Sequence, residues 1–123
     1  MRFLELKAFY ALIQFDVSRA TNFSALYDKV RCCRVRPTQI SQDATAKICA
    51  SIDIACTWYW KDVLCLQRSA ATTWMLRRHG VAAELIIGIQ QLPFRAHAWV
   101  DVGGRVVNDK EYVSETYLVL DRC

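Results

Sequence analysis

One cysteine, one histidine and one aspartate of this chain lie where they could support nucleophilic catalysis. Cys65 stands at the start of a predicted helix, His97 lies in the predicted strand FRAHAWVDV, and Asp109 ends the segment GRVVND. A helix N-terminus stabilises a thiolate, because its unpaired backbone N–H groups carry partial positive charge. An imidazole can take the thiol proton, and a carboxylate can orient the imidazole. The three residues therefore predict a nucleophile, a general base and an orienting group.

His97 is a better partner for Cys65 than the other histidine of the chain, His79. Both Cys65 and His79 belong to the same predicted helix, at opposite ends of it. At 1.5 Å per residue their separation is about 20 Å. Asp62 or Lys61, just before the cysteine, is expected to cap the start of this helix.

Asp109 is the preferred partner of His97, and Asp101 is the competing carboxylate. Asp101 lies four residues beyond His97 on the same predicted strand, hence on the same face of the sheet. The distance along the strand is about 13 Å, which is too long for a hydrogen bond. We therefore assign the orienting role to Asp109.

The length of the loop before Asp109 decides whether its side chain can face His97. A two-residue Gly103–Gly104 turn would send the Asp109 side chain to the opposite face of the sheet. A three-residue loop over residues 102–104, with a left-handed Gly104, sets His97 directly opposite Asp109. We predict this loop or an equivalent bulge. Asn108 then points the other way and is not expected at the site.

Hydrophobic periodicity indicates which elements position these residues. Helices are predicted over residues 3–16, 22–33, 40–58 and from 62–65 to Gly80. The apolar stripe of the first helix consists of Phe3, Leu6, Tyr10, Ile13 and Val17. Asn22 is a predicted N-cap, Pro37 breaks the chain after the second helix, and Gly80 is a left-handed residue after the fourth.

The second half of the chain is rich in Val, Ile, Tyr and Trp. This composition predicts the strands VAAELIIGI, RAHAWVDV, RVVND and TYLVL. Helices followed by strands indicate an α+β fold, in which N-terminal helices and a catalytic helix pack on a small antiparallel sheet. We expect a single domain over 1–123, with a helical part over 1–60 and the catalytic helix and sheet over 61–123.

Composition excludes several classes of protein. The net charge of +4 is mild and no nucleic-acid-reading motif accompanies it, so no nucleic-acid partner is expected. Six cysteines without a Cys-x-x-Cys pair, together with two histidines, indicate reduced thiols and no metal site. No apolar run is long enough to span a membrane and no clean signal peptide is present, so we expect a cytoplasmic protein.

The segment from Cys65 to Asp109 resembles the C-terminal core of the lasso-peptide leader peptidases, the B proteins of lasso-peptide maturation. These enzymes belong to the transglutaminase-like branch of papain-like cysteine enzymes. The resemblance covers about residues 60–120 and depends on Cys-Leu-x-Arg-Ser, Arg-Arg-x-Gly, Pro-Phe before Ala-His-Ala-Trp-Val, and Val-Val-Asn-Asp. The Ser-Ala-Ala-Thr-Thr block after Arg68 departs from the family, which usually has more aliphatic residues there.

The resemblance implies a transglutaminase-like core and a cysteine endopeptidase with Cys65 as nucleophile, His97 as base and acid, and Asp109 as orienting carboxylate. Such an enzyme removes the leader from a ribosomally made precursor through a thioester intermediate and needs no cofactor. The implied partners are the precursor peptide, a separate leader-binding recognition protein and a lasso cyclase. At 123 residues the chain is expected to be the stand-alone kind, without a fused leader-binding module.

Three further residues each have more than one interpretation. Arg68 contacts the substrate or forms a structural salt bridge. Trp60 lines the substrate pocket, donates to the oxyanion or only packs. Trp99 lines the cleft or belongs to the core.

Two other functions fit the same residues. One is transglutaminase-like acyl transfer, in which an amine replaces water, and the other is a non-catalytic adaptor that binds the precursor. Exposed apolar residues of the first three helices are candidates for docking the recognition protein.

Overall fold

Four helices precede the sheet in the computed structural model, which describes residues 3–21, 23–35, 44–91 and 93–123. They are α1 (Phe3–Thr21), α2 (Phe23–Cys32), α3 (Ala44–Trp58) and α4 (Cys65–Arg78). All four agree with the predicted helices in type and place, although α1 continues beyond residue 16. The predicted cap at Asn22, the break at Pro37 and the predicted start of the third helix at residue 40 lie outside the described residues.

Backbone hydrogen bonds around a glycine end α4, as the sequence predicts. His79 is the C-cap and Gly80 follows it with a φ of 85°. The Gly80 N–H donates to the Arg77 carbonyl over 3.2 Å, and the Val81 N–H donates to the Leu76 carbonyl over 2.9 Å. This pair of bonds is a Schellman motif, which favours glycine because only glycine adopts the left-handed backbone without strain. The chain therefore leaves α4 sharply and enters the sheet.

A four-stranded sheet follows in the described part of the chain. Its strands are β1 (Ala83–Gln91), β2 (Phe94–Val102), β3 (Arg105–Val106) and β4 (Leu118–Arg122). The order is β3-β2-β1-β4 and each pairing is antiparallel. The predicted α+β fold is confirmed. The short helix α5 (Val113–Thr116) was not predicted, and the third strand is much shorter than the predicted RVVND.

Helix α4 packs against α1 and α3 and also against β1 and β2, so it joins the helices to the sheet. The Ser-Ala-Ala-Thr-Thr block, residues 69–73, is buried throughout. Thr72 and Thr73 donate their hydroxyl hydrogens to the carbonyls of Arg68 and Ser69, one turn back along the helix. The buried hydroxyls are therefore satisfied within α4. Small side chains in this block let neighbouring elements approach the helix closely.

The buried face of α1 is not the predicted stripe. Among the α1 side chains that the structure describes, the fully buried ones are Ala8, Ala11, Leu12 and Phe15. Four residues of the predicted stripe are more than half exposed, namely Phe3, Leu6, Tyr10 and Val17. The helical period is correct, but α1 carries apolar residues on more than one face, so periodicity alone does not select the buried one. None of the described helices is long and apolar enough to cross a bilayer.

Candidate active site

Cys65 is the first residue of α4. Leu64 occupies the N-cap position with an extended backbone, and its side chain makes no capping hydrogen bond. The first bond of the helix runs from the Arg68 N–H to the Leu64 carbonyl over 2.9 Å. The predicted cap from Asp62 or Lys61 is wrong, because an aliphatic residue holds that position. The unpaired amides at the start of the helix that Cys65 begins therefore carry partial positive charge, and no side chain at the N-cap competes for them.

The segment that leads into α4 is attached to α1 through Asp16. The Tyr59 hydroxyl donates to Asp16 Oδ2 over 2.9 Å, and Lys61 Nζ lies 2.8 Å from Asp16 Oδ1. Burial and the hydrogen bond to Asp16 raise the pKa of Tyr59 to about 12. Trp60 stacks on the Tyr59 ring, with ring centroids 4.1 Å apart. These contacts fix the segment that leads to Cys65.

A cavity of about 210 Å³ lies beside Cys65. Its lining residues are Cys65, Leu66, Ile87, Ala96, His97 and Ala98. The Ser69 hydroxyl, one turn further along α4, donates to the Ala98 carbonyl over 3.1 Å. This bond holds the first turns of α4 against the strand that carries His97. The structure therefore brings Cys65 and His97 to one apolar cavity.

His97 is hydrogen-bonded to Asp109, with 2.5 Å between His97 Nε2 and Asp109 Oδ2. The second carboxylate oxygen, Oδ1, accepts the Lys110 N–H over 2.7 Å. Partial burial opposes ionisation of Asp109, but hydrogen bonds from His97 and Lys110 and the nearby charges of His97 and Arg68 outweigh it. The pKa of Asp109 is consequently lowered, and the group is a carboxylate at neutral pH.

The lowered pKa of Asp109 predicts a pH-dependent contribution to stability. Because its pKa in the folded state lies below the ordinary value of 3.8, the carboxylate stabilises the fold above that pH. The contribution is lost as the pH falls through the folded-state pKa. Urea unfolding from about pH 6 to about pH 2 should show the stability difference between wild type and Asp109→Asn shrinking toward acid. A difference that stays constant over this range would contradict the prediction.

The turn between β2 and β3 differs from the predicted one. Val102 pairs with Arg105, so the loop consists of Gly103 and Gly104 alone. Their φ angles are 59° and 82°. Two left-handed residues form a type I′ turn, whose twist matches that of antiparallel strands. The predicted three-residue loop is therefore wrong, because both glycines adopt the left-handed conformation and not the second alone.

Asp109 reaches His97 despite this register because β3 ends early. The strand stops at Val106, and the chain bends over the next residues. The Asn108 side chain replaces further strand pairing, since its Oδ1 accepts the Val100 N–H over 2.8 Å. Because the Asn108 side chain pairs with this strand N–H, the Asn108 backbone can leave the strand. The bend then carries Asp109 back to the imidazole.

Asn108 also links this bend to α4. Its Nδ2 donates to Ser69 Oγ over 3.0 Å, and the Arg68 guanidinium donates to the Asn108 carbonyl. Ser69 in turn donates to β2 at Ala98. Asn108 is not expected at the site, yet its side chain bonds to both β2 and α4. This side chain joins the helix of Cys65, the strand of His97 and the bend of Asp109.

Asn108→Ala is expected to lower the free energy of unfolding by about 1–3 kcal/mol, because the Val100 N–H and the Ser69 hydroxyl oxygen lose their partner. Urea denaturation measures the loss. Ser69→Ala and the double variant complete a double-mutant cycle, in which the two side chains should be coupled by more than about 0.5 kcal/mol. Additive losses would mean that the Asn108–Ser69 bond does not hold the bend on α4.

The family model of the transglutaminase-like superfamily matches residues 11–122. The chain belongs to this superfamily. Among curated proteins, the microcin J25-processing protein McjB of Escherichia coli is 44% identical to it over 45 residues, which are 37% of this chain and 22% of McjB. The chain therefore matches about a fifth of the length of that relative. No solved structure matches it at a significant level.

The remaining predicted site residues of this transglutaminase-like protein are not among the residues that line the cavity beside Cys65. Trp99 is completely buried, which favours core packing over substrate contact. Trp60 is 65% exposed and lies outside the cavity lining. Arg68 is half-buried and donates to a backbone carbonyl at Asn108. The substrate contacts proposed for Trp99, Trp60 and Arg68 stay predictions.

Tyr117 is a neighbour of His97 that sequence reasoning does not find. The two rings stack with centroids 5.2 Å apart and an angle of 25° between their planes. No periodicity of the sequence indicates that the residue before β4 returns to this point of β2. Asn108, by contrast, could have been found, because an Asn just past a Gly-Gly hairpin commonly bonds nearby backbone and ends a strand.

Proposed function

We propose that this chain is a cysteine peptidase that removes the leader segment from a ribosomally made lasso-peptide precursor. The observation that carries the proposal is the meeting of two groups at one cavity. Cys65 reaches it from the start of α4, and His97 reaches it while hydrogen-bonded to Asp109. Membership of the transglutaminase-like superfamily supports thiol chemistry, and similarity to a microcin J25-processing protein supports the substrate class.

The proposed roles depend on which ring nitrogen of His97 is hydrogen-bonded to Asp109. Nε2 faces a carboxylate oxygen at 2.5 Å, so this nitrogen carries a hydrogen and donates. In the neutral imidazole, Nδ1 then holds the lone pair and accepts the proton of the Cys65 thiol. The resulting imidazolium is stabilised by Asp109, and the thiolate by the first turn of α4.

In the acylation step, the Cys65 thiolate attacks the scissile carbonyl carbon and a carbon–sulfur bond forms. The oxyanion is held by the Cys65 backbone N–H and by a second donor. As the carbon–nitrogen bond breaks, the His97 imidazolium gives its proton to the leaving amine. The core peptide leaves with a free α-amine, and the leader stays bound to Cys65 as a thioester.

In the deacylation step, neutral His97 takes a proton from water and the hydroxyl oxygen attacks the thioester carbonyl. The carbon–sulfur bond breaks, the sulfur regains a proton from His97, and the leader leaves as a carboxylic acid. No cofactor enters either step. We propose that a separate recognition protein presents the leader, that a lasso cyclase uses the freed amine, and that the reaction takes place in the cytoplasm.

The experiment is incubation of the full chain with a lasso precursor peptide and its leader-binding protein, followed by mass spectrometry. Hydrolysis yields two fragments whose masses add up to the precursor and one water. An unchanged precursor that nevertheless co-elutes with the chain would identify an adaptor and contradict the peptidase.

Transglutaminase-like acyl transfer is the second candidate, and the superfamily assignment favours it. The acyl-enzyme would be the same, but an amine would attack the thioester in place of water. Adding an excess of a primary amine to the incubation separates the two functions. A leader fragment heavier by the amine less one water indicates acyl transfer, whereas a free carboxylic acid indicates hydrolysis.

A further inference from the structure

The His97 ring has two neighbours that constrain it in different directions. Asp109 is bonded to the ring edge at Nε2. Tyr117 covers the ring face, with centroids 5.2 Å apart and planes 25° from parallel. Trp99 lies next to both rings, 6.2 Å from each by ring centroid. Imidazole, phenol and indole therefore form one aromatic cluster on the sheet.

Gly88 allows this cluster to lie directly against the sheet. It pairs with His97 on β2 and with Val119 on β4. A Cβ atom at Gly88 would lie 2.7 Å from the Trp99 ring and 2.9 Å from Tyr117 Cβ, both closer than real contacts allow. Tyr117 can therefore reach His97 across the strand only because position 88 has no side chain.

A single hydrogen bond does not fix the plane of an imidazole. With Asp109 alone, the His97 ring can tilt about the line through Nε2 and the carboxylate oxygen. That tilt moves Nδ1, the nitrogen that the proposed function assigns to the thiol proton. Stacking on Tyr117 restricts the tilt, because parallel displaced rings lose contact when one of them rotates. Hydrogen bond and stack together define where Nδ1 points.

We propose that Tyr117 is a positioning residue that holds the His97 imidazole in the plane required for proton exchange with Cys65. The inference rests on the proposed function, because it concerns the same base. Tyr117 acts through its ring and not through its hydroxyl. It touches His97 and takes no part in bond making or breaking.

Three variants separate this role from a general contribution to stability. Tyr117→Leu removes the ring and should lower kcat for precursor cleavage by about 10- to 100-fold with KM changed less than about twofold, as expected for a misplaced base. Tyr117→Phe keeps the ring and should retain kcat within about twofold. Tyr112→Leu is the matched control, because this exposed tyrosine precedes α5 and contacts Lys110 rather than His97. Thermal melting verifies that each variant is folded, and Tyr117→Met replaces the leucine variant if that one unfolds.

A second measurement does not depend on cleavage. The rate of Cys65 alkylation by iodoacetamide, followed by peptide mass mapping, should fall in Tyr117→Leu toward the rate in His97→Ala and stay unchanged in Tyr117→Phe. Equal kcat values and equal alkylation rates in wild type and Tyr117→Leu would overturn the inference. Equal losses in Tyr117→Leu and Tyr117→Phe would also overturn it. If wild type alkylates at Cys65 but cleaves no precursor, the proposed function fails while the alkylation rates still decide the role of Tyr117.

Discussion

Cys65→Ala is expected to reduce precursor cleavage by about 10⁴-fold or more, which is the loss typical of removing the nucleophile from a covalent mechanism. Without the sulfur no thioester can form, and water would have to attack an unactivated amide. The fold should be kept, because Cys65 is only half-buried and its backbone bonds do not depend on the side chain. Precursor mass over time measures the loss, and rapid acid quenching of the wild-type reaction should trap the leader on Cys65.

Cys49→Ala is the matched control for this prediction. Burial raises the pKa of Cys49 to about 11, so this α3 thiol is protonated and unreactive at neutral pH. Its removal should leave the cleavage rate within about twofold of wild type. A Cys65→Ala protein that cleaves at the wild-type rate, or a leader adduct on a different cysteine, would remove Cys65 from the mechanism.

Asp109→Asn has the second largest expected effect, a loss of about 10²- to 10⁴-fold in kcat. An amide can present its NH₂ group to Nε2, which would then hold the lone pair and place the hydrogen on Nδ1. In that tautomer His97 cannot accept the thiol proton. The amide also lacks the charge that stabilises the imidazolium. Steady-state kinetics should show the loss mainly in kcat, since Asp109 does not line the cavity.

Asp101→Asn provides the control for the choice of carboxylate. Asp101 lies on the same strand as His97, and desolvation raises its pKa even though Arg122 opposes this. It pairs across β2 and β3 with Val106, at the far end of the strand from His97. Its variant should keep kcat within about twofold. A larger loss in Asp101→Asn than in Asp109→Asn would reverse the assignment.

The types and order of the main elements could be predicted because each has a strong local signal. Gly80 marks the end of α4 through its left-handed backbone, and the change from helical to alternating periodicity after it marks the sheet. His97 and Asp109 could be paired by counting residues from the hairpin. The pairing is present in the structure, although the loop that was expected to produce it is not.

The features that the sequence did not reveal all depend on contacts between distant segments. The position of Asn108 after a Gly-Gly hairpin indicates that it ends a strand, but its bond to α4 depends on Ser69, which belongs to a distant segment. Tyr117 becomes a neighbour of His97 only after β4 pairs with β1. The buried face of α1 is chosen by its packing against α3 and α4 rather than by its own pattern. Periodicity and turn propensity describe one segment at a time, so they cannot rank such choices.

The short β2–β3 hairpin affects the order in which the candidate site assembles during folding. His97 and Asp109 are close in the chain, and short loops close at little entropic cost, so their pair is expected to assemble early in folding. Cys65 comes from a distant segment and joins them only when α4 docks on the sheet. If the proposed function is correct, a nascent or partly unfolded chain has His97 and Asp109 together without Cys65, and activity appears only after α4 has packed on the sheet.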